Sequence, residues 1–184
     1  MDRTLNRQNI ESVIQKYTSS IEEIGDILSG LKGVRLFKCL KRTKVEIGPY
    51  PHVTLFEAAN RIMTDLVILK GVRWLLDKRS FPFDEYLVEY GNEDSNEHDI
   101  TAVQSGKRLI GEAFNVAPSF FQGKKTAMLK KLRNAGESID FKIIMVNADA
   151  VNEDYFPKVK DREYYLFVDV ESYEARLLPN LSFE

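Results

Sequence analysis

The chain has 184 residues, 43% of them hydrophobic, which suffices for one globular domain with a helical appendage and is too short for two full domains. Its 26 basic and 28 acidic residues leave a formal charge of −2, so global electrostatics neither demand nor exclude a nucleic-acid partner and local charge must decide. No apolar run approaches the ~20 residues of a membrane span, the N-terminus lacks a signal-like apolar core, and the single Cys39 has no disulfide partner; a cytoplasmic protein without membrane contact is expected.

From Ile10 the apolar residues Ile10, Ile14, Tyr17, Ile21, Ile24, Leu28 and Leu31 recur at steps of four and three, predicting an N-terminal amphipathic helix. Such a helix either docks on its own domain or, because the stripe is nearly heptad-regular, forms a homodimer. The expected division is a helical unit over 1–33 followed by an α/β domain over 34–184. Lys32, Arg35, Lys38, Lys41, Arg42 and Lys44 then precede the first acid, Glu46, in a stretch read as partly extended, either a solvated connector or a phosphate contact.

Pro49 and Pro51 break the chain, and a helix is predicted over 53–77 with apolar positions Phe56, Met63, Leu66, Val67, Leu69 and Trp74. Within it, Thr54 and Glu57 have capping-box spacing, which gives Glu57 a structural role beside the alternative of a helix-borne acid near a metal. A strand is expected over 83–90, and a loop from Asn92 to Asn96. Two further strands, 99–103 and 107–116, flank a Gln104-Ser105-Gly106 turn signal; a helix over 119–134 and buried strands over 141–146 and 164–170 complete the pattern, with 171–184 read as a packed tail. Strand, helix and strand between Leu109 and Val146 make a right-handed βαβ unit after an antiparallel hairpin, hence a mixed central sheet flanked by helices.

If Ser105-Gly106 is a two-residue hairpin loop, Gln104 pairs with Lys107, Val103 with Arg108, Thr101 with Ile110 and Asp99 with Glu112. Two carboxylates directly opposite on one face repel each other, and one proton or one cation must relieve them. Mg²⁺ or Mn²⁺ suits such oxygen donors, since it is commonly held by one or two carboxylates with water and phosphate oxygens completing the shell. The same register sets Glu97 near the pair and turns His98 and Asn115 away from it. The helix after the hairpin carries Lys124, Lys125, Lys130, Lys131 and Arg133 with no acid before Glu137, a candidate phosphate-binding face.

Asp99 at the start of one hairpin strand, Leu109-Ile110-Gly111-Glu112-Ala113-Phe114 in the next, and the helix and buried strand that follow resemble the PD-(D/E)xK, or restriction-endonuclease-like, nucleases over roughly 53–170. The resemblance implies a restriction-endonuclease-like fold and a Mg²⁺-dependent endonuclease cutting DNA in preference to RNA, with Asp99 and Glu112 as metal ligands. Glu57 matches the additional helix-borne acid of some members. Phe114 stands where the family has its lysine; some members move that lysine to the following helix, which makes Lys124 and Lys125 the candidates here. The alternative is a nuclease-like scaffold that no longer cuts and serves to bind nucleic acid or protein.

Overall fold

A computed structural model of the protein describes residues 1–46, 48–91, 96–136 and 138–180. The described residues form a seven-stranded mixed sheet and four α-helices. The chain runs β1 (Thr4–Asn6), α1 (Ile10–Leu28), α2 (Gly33–Arg42), α3 (Leu55–Lys78), β2 (Glu85–Val88), β3 (Ile100–Gln104), β4 (Lys107–Phe114), α4 (Pro118–Asn134), β5 (Phe141–Asn147), β6 (Glu163–Val168) and β7 (Ala175–Leu178). The strands lie in sequence order. β1 to β4 are antiparallel, β4, β5 and β6 are parallel, and β7 returns antiparallel to β6.

Alternation along β4 sorts its side chains onto two cores. Leu109 and Ala113 join Ile143, Met145 and Leu166 beneath α3, while Ile110 and Phe114 join Ile144, Val146 and Phe167 beneath α4. α3 approaches the sheet closely because position 71 is glycine: a Cβ there would sit 2.8 Å from the Met145 sulfur. α1 docks on α3, burying Ile10, Val13, Ile14 and Tyr17 in the core that also contains Leu5 of β1.

Three local expectations are corrected. The basic stretch after Gly33 is helical rather than extended: Leu36 and Leu40, one turn apart, give it a half-buried inner side together with Cys39. The tail contains a strand, because the unpaired edge of β6 offers Ala175–Leu178 a hydrogen-bonding partner. Phe56, counted among the apolar positions of the 53–77 helix, is exposed on the first turn of α3. The loop expected from Asn92 to Asn96 falls mostly outside the described residues. No helix among those described is long and apolar enough to cross a membrane.

Candidate functional site

Ser105 and Gly106 both adopt positive φ, 51° and 80°, as a type I′ hairpin turn requires. The ladder that follows pairs Gln104 with Lys107, Val103 with Arg108, Thr101 with Ile110 and Ile100 with Gly111. Asp99 lies one residue beyond the end of β3, and the register continues to Glu112. On its other side, the pairing of Leu87 with Thr101 brings Glu89 level with Asp99, whose carbonyl accepts the Glu89 amide at 2.9 Å. Glu89, Asp99 and Glu112 thus form one row across β2, β3 and β4.

Glu112 is only 2% exposed, and both of its oxygens are engaged. His98 Nδ1 donates to Oε1 at 2.7 Å, and Lys131 Nζ donates to Oε2 at 2.9 Å. Since a carboxylate only accepts, the imidazole proton resides on Nδ1. His98 was expected to face away from the acids, but it precedes the ladder, where strand alternation no longer dictates direction, and its buried ring turns to Glu112. Glu97 does not line the cleft; the further acid in the row with Asp99 and Glu112 is Glu89, which is buried and accepts the Asn96 amide at 2.7 Å.

Asp99 Oδ2 accepts the Ala113 amide at 2.8 Å, replacing the backbone acceptor that β3 no longer supplies. Burial, followed by the charges of Glu112 and Glu89, outweighs that amide and Lys131 and raises the Asp99 pKa to about 6. Asp99 therefore gives up its proton less readily than a free aspartate, chiefly because it is withdrawn from water. It opens on a cleft of about 500 Å³ at the carboxyl end of β4, walled by α3 and α4.

The remaining expected residues separate by helix face. Lys124, Met128 and Lys131, spaced by four and three, all line the cleft. Lys125 faces elsewhere, donating to Gln122 Oε1 at 2.6 Å and to the Tyr155 hydroxyl at 3.0 Å. Arg133 makes a bidentate contact with Glu163 at 2.6 and 2.9 Å. Burial pushes the Glu163 carboxyl up, but hydrogen bonds from Arg133 and the Lys160 amide hold it below its usual range. Lys130 is exposed. Asn115, expected to face away from the acids, lines the cleft beside them, since it follows the last residue of β4.

Glu57 also lines the cleft, but its amide caps onto Thr54 Oγ1 at 3.2 Å and its carboxylate pairs with Arg61 at 2.6 Å. Phe114 is buried with its ring centroid 6.4 Å from that of Phe121 on α4. The residue in place of the expected lysine thus helps seat the helix that brings Lys131 to Glu112. Sequence reasoning read Lys131 as a phosphate contact and missed its pairing with Glu112, although the 124, 128 and 131 spacing was a usable signal.

Among the described residues no three His, Cys, Asp or Glu side chains converge as a ready-made metal-ligand set. The hard oxygen donors of Asp99 and Glu112, which line the same cleft, nonetheless fit Mg²⁺, which needs only one or two carboxylates from protein. Lys131 is 41% exposed and on a flexible stem, so it can release Glu112 without disturbing a core. Compared with protein-family models, with curated proteins and with solved structures, the chain matches none.

Proposed function

We infer that the protein is a Mg²⁺-dependent nuclease of the restriction-endonuclease-like kind, hydrolysing phosphodiester bonds of nucleic acid in the cleft between α3 and α4. One observation carries the reading: Lys131 reaches Glu112 at 2.9 Å in the cleft that Asp99 lines. A lysine is thereby available beside the paired acids although Phe114 occupies the expected strand position. The order α3, β2, β3, β4, α4, β5 supports the same reading, as it is the element order on which the resemblance rests.

Asp99 and Glu112 would hold the metal, with the Ala113 amide orienting the first and His98 the second. When bound, Mg²⁺ polarises a phosphodiester oxygen and acidifies a water. Lys131, displaced from Glu112, is placed to orient the attacking water and to meet negative charge developing on the phosphate. Lys124, on the same helix face, supplies a phosphate contact at the cleft wall.

A second reading has its own support. Both oxygens of Glu112 already have partners, as they would in a nuclease-like scaffold that binds without cutting. Incubating wild type, Asp99→Ala, Glu112→Ala and Lys131→Met with labelled DNA and RNA in Mg²⁺ or Mn²⁺ separates the two. The nuclease reading expects metal-dependent cutting by the wild type that each substitution removes. Cutting that survives both acid substitutions refutes the site, and absence of cutting by the wild type supports the binding scaffold.

A further inference from the structure

α2 is a cationic helix whose charges find no carboxylate among the described residues. Lys32, Arg35, Lys38, Lys41, Arg42 and Lys44 fall in a stretch with no acid, leaving 20 basic against 28 acidic residues in the rest of the chain. None of α2's residues is buried, and Val34 and Phe37 stand 85% and 66% exposed among the cations. Several cations elsewhere are paired within the protein, Arg61 with Glu57, Arg73 with Glu11, Lys131 with Glu112 and Arg133 with Glu163, whereas the α2 stretch holds six in a row without an acid. Among the described residues none of the six around α2 has an acid partner, and Lys41 instead places its ammonium over the Phe56 ring at 3.2 Å.

That contact also locates the helix. Phe56 lies in the first turn of α3, and the next residue, Glu57, lines the cleft. The unpaired charge of α2 therefore borders the α3 wall, while Lys124 and Lys131 supply positive charge on the α4 wall. We propose that α2 is a nucleic-acid-binding helix that holds the flank of a substrate strand or duplex entering the cleft, its cations on phosphates and Phe37 against a sugar or base. This rests on the nuclease reading for the cleft, but binding by α2 can be measured without cutting. An anionic membrane is the less favoured occupant. Its apolar contact would be limited to Val34 and Phe37, because Leu36, Cys39 and Leu40 are half-buried on the protein side.

The test measures fluorescence anisotropy of a short labelled DNA duplex and of an RNA single strand, in EDTA so that neither is cut, over about 50 to 200 mM salt. Wild type is compared with the triple variant Arg35→Gln, Lys38→Gln, Arg42→Gln and with Phe37→Ala, all at exposed positions and checked for unchanged melting. For the triple variant the proposal expects at least a tenfold loss of affinity and a salt slope on the duplex shallower by about 2–3. The two probes tell which nucleic acid is held. Unchanged affinity and slope in the triple variant overturns the proposal, as does a wild type that binds neither probe. So does α2-dependent sedimentation with phosphatidylserine vesicles when nucleic-acid binding is insensitive to the substitutions. If α2-dependent binding holds while the wild type cuts nothing in Mg²⁺, the nuclease reading fails and the α2 assignment stands.

Discussion

Two acids of this protein lie in contrasting settings, Asp65 inside α3 and Asp99 at the mouth of the cleft. Asp65 is fully buried and receives hydrogen bonds from the Tyr17 hydroxyl at 2.6 Å, from the Tyr50 hydroxyl, and from the Gly91 amide at 3.0 Å. Burial, and then the charge of Asp65, hold both phenols far above their usual ionisation range, so they remain donors. This carboxylate ties α1, the loop before α3 and the end of β2 to one point. Asp99 has one amide donor, two acids level with it and an open cleft in front, and its pKa rises to about 6. The contrast shows that donors and access, rather than burial, separate a structural acid from a candidate catalytic one.

The largest expected effect tests the structural side. Asp65→Ala strands two tyrosine hydroxyls and an amide in the interior and is expected to lower stability by about 3–5 kcal/mol, read by denaturant unfolding. A loss below about 1 kcal/mol would mean that the network is not a structural tie. On the other side, Lys131→Met is expected to slow cleavage by about 100-fold, the lower end for a group assisting proton transfer, and to cost about 1–3 kcal/mol of stability because buried Glu112 loses one of its two donors. Rescue of rate by Lys131→Arg to near wild type would argue for bare charge over placement.

Asp99→Asn should move stability and activity in opposite directions. Because the folded pKa of about 6 exceeds the 3.8 of an ordinary aspartate, the folded protein binds more protons between those pH values, and stability falls as pH rises through that window. Removing the charge is therefore expected to stabilise the metal-free protein by about 1–3 kcal/mol at neutral pH, with little gain below pH 4, while abolishing cleavage. A destabilised Asp99→Asn at neutral pH would show that the strain assigned to this acid is absent. Smallest of all, Glu57→Gln removes a surface pair with Arg61 worth about 0.3–0.5 kcal/mol and is expected to change cleavage only a fewfold. A loss equal to that of Asp99→Asn would make Glu57 a metal ligand.

Much of this arrangement can be read from residues alone, for identifiable reasons. Ser105-Gly106 determines the turn, the turn sets the ladder, and the ladder carries Asp99 toward Glu112. The helix and parallel strand after Glu112 follow from clear periodicity. Legibility stops where periodicity does. His98 lies before the ladder, so no parity rule turned it toward Glu112. Glu89 falls inside the strand expected over 83–90, but nothing in the sequence sets that strand's register against Asp99, so its place beside the pair is known only from the ladder. α2 carries Val34 and Leu36 at strand spacing but Leu36 and Leu40 at helix spacing, and only packing against α3 resolves the ambiguity. β1 is three residues long and is defined by its partner β2.

The most direct measurement is calorimetric titration of Mn²⁺ into wild type and Asp99→Asn across about pH 5 to 8, without nucleic acid. If Asp99 must lose its proton to take a metal, wild-type affinity should rise about tenfold per pH unit below pH 6 and level off above it, while Asp99→Asn should show little uptake at any pH. Equal uptake by both proteins, or a wild-type affinity independent of pH, would contradict the assignment of Asp99 and Glu112 as a metal centre.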